Sequence, residues 1–175
     1  GGVHTITLAY DGPDGGTVPD ALPTITDALI IDGTSEPDFS GTPVIELNGN
    51  NVGTGVQGLT LGAGSSGSTI RGLIVNRFSG TGIDLTGSSN HMIQGNWIGL
   101  NSTGTAAAAN TGKGLYAINS SGLLIGGTSA AERNVIAGVL ALIALLASVD
   151  LLVDLREGVT LWHVLAEAAV AVAAC

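Results

Sequence analysis

QGLTLGAGSSGSTIRGLIVNRFSG, residues 57–80, is followed directly by TGIDLTGSSNHMIQGNWIGLNSTG, residues 81–104, and the two 24-residue runs carry one pattern. Gly58 falls on Gly82, Leu59 on Ile83, Leu61 on Leu85, Ile70 on Ile93, Gly72 on Gly95, and the pair Ile74 and Val75 on Trp97 and Ile98. A third copy, KGLYAINSSGLLIGGTSAAERNVIAG, runs from Lys113 to Gly138 after an insertion and with slightly different spacing. Self-similarity at a fixed period marks a repeat architecture, in which one unit cannot bury its apolar face until its neighbours stack on it.

Each copy divides into three β-like runs of about four to five residues: GLTL, STIRG and LIVN in the first, GIDL, HMIQG and NWIG in the second. Clusters of Gly, Ser, Asn and Thr separate them, the residues that tight corners favour. Three strands per repeat with corners between them predict an all-β solenoid, a parallel β-helix. Residues two apart in a strand share a face, so Leu59, Ile83 and Leu115 are expected to stack inward while Thr60, Asp84 and Tyr116 form an outward column on the first sheet. Asn96 and Asn134 precede the third strand in their copies, where the first copy has Leu73. They are expected to stabilise corners by hydrogen bonds along the stack, as asparagine ladders do.

The first segment is less regular. All 5 prolines and seven of the 14 acidic residues lie before residue 44. Between them stand the short β-like runs HTITLAY at 4–10 and ALIID at 28–32, with VIELN at 44–48 just after, bounded by turn-forming residues. The acids Asp32, Glu36 and Asp38 are the best candidates for a calcium site, since a calcium cage wants several oxygen ligands with carboxylates among them. The competing reading is a solvated loop. His4, in the first strand, and His91, at a corner, read as surface or corner histidines with no placed Ser, Asp or Cys partner.

Net charge is −9 and the 5 basic residues are isolated, so no basic stripe exists to meet phosphates and nucleic acid is excluded as a partner. The single cysteine, Cys175, forms no internal disulfide and no cysteine-based metal cluster. The chain opens GGVH without a charged head and apolar run, which reads as a trimmed or processed product.

Composition changes abruptly after Gly138. Residues 139–175 are rich in Leu, Ala and Val with a single glycine, Gly158, and predict a C-terminal α-helical hairpin broken near Arg156–Gly158. The expected division is therefore 1–138, the β-helix, and 139–175, an apolar helical tail. Leu142, Leu145, Leu146, Leu152, Leu161, Trp162 and Leu165 are the expected capping or self-association residues, because helices apolar nearly all round are normally buried. A membrane contact competes with this. Residues 139–155 fall short of the ~20 apolar residues that span a bilayer, and Asp150 and Asp154 would each cost roughly 2.5–3.5 kcal/mol on insertion. A third reading is a tail not native to the repeat.

The runs DGTSEPDFSGTPVIELNG, STIRGLIVNRFSGTGIDL, NHMIQGNWIGLNSTGTAA and IGGTSAAERNVIAG resemble the right-handed parallel β-helix repeat proteins of the pectin-lyase-like superfamily, in particular bacterial secreted and surface types, over about residues 4–138. The resemblance implies the fold and an extracellular or cell-surface setting. It does not extend to 139–175. Carbohydrate-cleaving members of that fold use paired carboxylates or a calcium–carboxylate cluster with an arginine base. Between Gly49 and Gly138 the only acids are Asp84 and Glu132, in different strand positions, so the carboxylate pair that glycoside hydrolysis needs is not expected. The leading expectation is a non-catalytic structural module, without a cofactor, that forms a homo-oligomer or assembly through its tail. The alternative is a protein that binds or cleaves polysaccharide, with Thr60, Asp84 and Tyr116 as a glycan-contact column.

Overall fold

The computed structural model describes residues 2–9 and 21–137. The expected helical hairpin, its seven apolar contact residues and the boundary at Gly138 lie outside the described residues.

Twelve short strands run through the described residues: β1 His4–Ala9, β2 Ile30–Asp32, β3 Ile45–Asn51, β4 Leu59–Thr60, β5 Thr69–Arg71, β6 Leu73–Asn76, β7 Ile83–Asp84, β8 Met92–Gln94, β9 Trp97–Ile98, β10 Leu115–Tyr116, β11 Leu124–Ile125 and β12 Val135–Ile136. They form three sheets, ordered β1-β3-β6-β9-β12, β10-β7-β4 and β11-β8-β5-β2. All strand pairs in them are parallel. Each copy of the sequence motif gives one strand to each sheet. Parallel strands cannot be joined by a hairpin, so the chain must turn through the other two sheets before it returns to the first.

The registers reproduce the sequence alignment residue by residue. Leu59 pairs Ile83 and Ile83 pairs Leu115; Ile70 pairs Ile93; Ile74 and Val75 pair Trp97 and Ile98, which pair Val135 and Ile136. Leu59, Leu61, Ile70, Val75, Phe78, Ile83, Leu85, Ile93 and Ile98 form one buried cluster between the sheets. Strands are shorter than expected, two to four residues within the copies. The corner glycines are the cause. Gly72 and Gly95 sit between the second and third strands at φ 68° and 63°, and a Cβ there would meet Thr34 Cγ2 at 2.7 Å and the Ala131 carbonyl oxygen at 2.6 Å respectively. The strand must break where only glycine fits.

The asparagines work as expected and one more joins them. Asn96 Oδ1 accepts from the Leu73 amide at 3.0 Å while its Nδ2 donates to the Ile70 carbonyl at 3.0 Å. Asn134 repeats the contact one copy later, accepting from the Asn96 amide at 3.0 Å and donating to the Ile93 carbonyl at 2.6 Å. Asn110, in the insertion, makes the same pair of bonds at another corner, to the Phe78 amide (3.0 Å) and the Val75 carbonyl (3.1 Å). In all three a carboxamide takes an N–H and gives to the carbonyl three residues before it. The amides of Leu73, Phe78 and Asn96 find their acceptor in the carboxamide, and buried amides must be satisfied. The Val75 and Ile93 carbonyls also accept from the Gly99 and Gly126 amides, so there the carboxamide adds a second bond.

The insertion has a second role. It folds back through an antiparallel bridge between Leu100 and Ala107, and a Cβ on Gly104 would lie 2.5 Å from the Trp97 ring. The loop therefore packs against the outer face of the long sheet, where Ile74, registered beside Trp97, is fully buried. Among the described residues no helix is long and apolar enough to cross a membrane.

Candidate functional site

β4, β7 and β10 bring the expected first-sheet column together: Thr60 pairs Asp84 and Asp84 pairs Tyr116, all three half-buried. Two of the three are already engaged. Asp84 Oδ1 accepts from the Thr86 amide at 2.9 Å and the Thr86 hydroxyl at 2.5 Å, closing its own turn. Lys113 Nζ stands 3.8 Å from the centroid of the Tyr116 ring, a cation–π contact that covers one ring face.

The acidic residues of the first segment separate. β2 pairs with β5, which puts Asp32 opposite Arg71, and Arg71 NH2 lies 2.5 Å from Asp32 Oδ2. The other oxygen, Oδ1, accepts from the Thr34 amide and hydroxyl at 3.0 and 2.6 Å. The Arg71 hydrogen bond, followed by those from Thr34, holds the Asp32 carboxyl down at about 2 against the opposing effect of burial. Asp32 thus belongs to an ion pair and stands apart from Glu36 and Asp38. Those two gather instead with His4, whose Nε2 lies 3.6 Å from Glu36 Oε1 and 3.7 Å from Asp38 Oδ2. One ligand-type atom from each of the three lies within 4.8 Å of the others.

A buried polar cluster lies on the long sheet. Glu46 in β3 is only 4% exposed. Its carboxylate accepts from the Thr5 hydroxyl at 2.7 Å, Asn76 Nδ2 at 2.7 Å and Asn48 Nδ2 at 3.2 Å, and Arg77 NH1 is 3.5 Å away. The Asn76 amide nitrogen also donates to the Leu100 carbonyl at 2.7 Å. Two acceptors therefore define which end of that carboxamide is nitrogen, and Oδ1 is left buried without a partner. Glu46 is thus a buried carboxylate surrounded by donors. Glycoside hydrolysis needs two opposed carboxyls, and Glu46 has none among its bonding partners.

His91 is not a surface histidine. It is 1% exposed, with Nε2 2.8 Å from the Ser88 hydroxyl and Nδ1 buried without a hydrogen bond. Ser88 Oγ also lies 2.9 Å from the Leu61 carbonyl and 3.1 Å from the Leu85 carbonyl. Burial lowers the imidazole pKa from its ordinary value, outweighing the opposing influence of the Ser68 backbone.

Comparison of the chain with protein-family models, with curated proteins and with solved structures found no match. Function must therefore be argued from these groups alone.

Three of them were not singled out by the motif pattern. His4 joins Glu36 and Asp38 only because β1 pairs with β3 across some forty residues, His4 opposite Ile45. Glu46 carried a usable signal, an acid inside the apolar run VIELN. Asn110 sits in the insertion, outside the repeat alignment, and nothing in its local sequence distinguishes it.

Proposed function

We propose that the three parallel sheets are the faces of a right-handed parallel β-helix and that the chain is a non-catalytic structural module of an extracellular or cell-surface assembly, self-associating through residues 139–175. What supports the structural reading is where the polar side chains go. Asn96, Asn110 and Asn134 bridge one copy to the next; Gln94 donates to the Gly126 carbonyl at 2.9 Å; Asp84 closes its own turn. Glu132, the other acid of the repeats, accepts from the Ser129 amide at 2.9 Å in a capping box. The carboxamides hold copies together, while the two carboxylates are taken up in closing their own turns rather than placed to move protons. The extracellular setting rests on the family resemblance, and the self-association on the apolar composition of 139–175.

Sedimentation velocity of the whole chain beside a version ending at residue 138 tests the proposal. The expected result is a concentration-dependent larger species for the whole chain only. Two monomers of equal solubility would sink the self-association claim.

A polysaccharide-contacting first sheet is the second reading. The unbroken register of Thr60, Asp84 and Tyr116 favours it. Lys113 over the Tyr116 ring counts against a sugar stacking on that face.

A further inference from the structure

We propose that His4, Glu36 and Asp38 form a binding site for a divalent transition ion of the zinc class. The inference is independent of the assembly reading above, because it concerns the opposite end of the sequence from residues 139–175.

Two separate backbone elements present the three side chains. His4 opens β1, which is registered on β3, and its amide donates to the Val44 carbonyl at 2.7 Å. Glu36 and Asp38 lie in a turn closed by the Phe39 amide donating to the Glu36 carbonyl at 2.9 Å. Neither element depends on the side chains meeting.

The spacing then separates two explanations. A histidine paired directly with a carboxylate closes to roughly 2.7–2.9 Å, the length of a charge-assisted hydrogen bond. His4 Nε2 instead stands 3.6 Å from Glu36 and 3.7 Å from Asp38, outside hydrogen-bonding distance of both. Donors that share a tetrahedral ion at about 2.0–2.2 Å lie about 3.4 Å from one another. The two His4 separations are close to that edge.

The donor set selects the ion. Calcium takes oxygen ligands, whereas an imidazole nitrogen with carboxylates suits zinc and its neighbours. Replacing Asp32 by His4 in the expected acidic triad therefore changes the class of ion as well as the ligands. The three side chains are 57%, 32% and 39% exposed, so an ion reaches them from solvent and a fourth position stays open to water. Bound there, it ties the first strand to the turn before β3, and the folded chain gains stability with ion concentration.

Titration calorimetry of the whole chain with zinc chloride, in a non-chelating buffer, tests the site. One ion per chain is expected to bind, with affinity at least tenfold weaker in His4→Ala and in Glu36→Gln, unchanged in Asp32→Asn, and not displaced by millimolar calcium. Both variants alter partly exposed side chains, and circular dichroism checks that each remains folded. Asp38→Asn serves as the third measurement should either fail that check. Binding that survives these substitutions, as zinc held by His163 or Cys175 would, overturns the proposal. So does the absence of zinc binding, or calcium binding that is lost in Asp32→Asn.

Discussion

Ile98 and Ile136 are the same residue at the same place in successive copies, registered against each other in the long sheet. Ile98 is fully buried, while Ile136 is half-buried. Ile83 and Leu115 differ in the same way. The second copy has strands on both sides in every sheet, whereas β10, β11 and β12 are sheet edges among the described residues. Burial in this fold is supplied by the neighbouring copy, and residue type only makes it usable. The half-exposed side chains of the third copy, with Leu124, Ile125 and Val135 more exposed still, present an apolar end from which the chain runs straight into 138–175.

Removing side-chain volume should expose this difference most. Ile98→Ala is expected to cost about 2–5 kcal/mol, the range for a deleted aliphatic side chain in a close-packed core. Ile136→Ala should cost about 1 kcal/mol, since only part of its surface leaves water. Urea unfolding of the two variants, with unchanged m-values, measures both. Equal costs would break the comparison and mean that residues beyond 137 cover β12 as closely as β12 covers β9.

The asparagines sharpen the same contrast through hydrogen bonding. Asn96→Ala leaves the Leu73 amide without its acceptor and removes a bond to the Ile70 carbonyl, and Asn96 itself is fully buried. Each buried group left unsatisfied costs about 1–3 kcal/mol. Asn134 makes the equivalent bonds but is half-buried, so water replaces it and Asn134→Ala should cost about 1 kcal/mol. Amide hydrogen exchange provides the local check: protection at Leu73 should collapse in Asn96→Ala, and protection at Asn96 should fall less in Asn134→Ala.

His91 lies in the doubly flanked copy, and its effect appears with pH. Its folded-state pKa is below the ordinary histidine value of 6.5 because the ring is buried. The unfolded chain therefore takes up a proton at higher pH than the folded one, and stability is full above 6.5 and falls as pH drops from there toward the folded pKa. In His91→Gln the slope of unfolding free energy against pH should flatten just below 6.5. An unchanged slope would assign the acid sensitivity to another group.

The repeats were legible because equivalent residues stack on one another, so the sequence alignment and the strand register are the same list. Leu59, Ile83 and Leu115, or Asn96 and Asn134, could be paired without any knowledge of three dimensions. Contacts between unlike segments were not legible. Asp32 looked like a partner of Glu36 and Asp38, its sequence neighbours. Pairing of β2 with β5 turned it to Arg71, and pairing of β1 with β3 delivered His4 in its place. Glu46 similarly stands where the next strand has Ile74, and its bond runs past that partner to Asn76, which is itself registered on Asn48. Periodicity reads what repeats; it is silent about the side chains that each copy uses once.

The smallest effect separates the second and third copies on the first sheet. The second copy has Thr81 and Asp84 where the third has Lys113 and Tyr116, in register across β7 and β10. Only the third can make the contact of Lys113 Nζ with the Tyr116 ring. A half-exposed cation–π contact contributes about 0.5–1 kcal/mol, and Lys113→Ala should lose about that much, with Lys113→Arg restoring it because a guanidinium also lies over an aromatic face. The same substitution uncovers the ring. If Thr60, Asp84 and Tyr116 form a glycan surface, Lys113→Ala should bind neutral polysaccharide more tightly than the natural sequence, and Tyr116→Ala should bind none. If the first sheet is scaffold, both variants stay inert toward sugars and differ only in melting temperature. The lysine thus makes one stability difference between two copies into a decision between the two readings of that sheet.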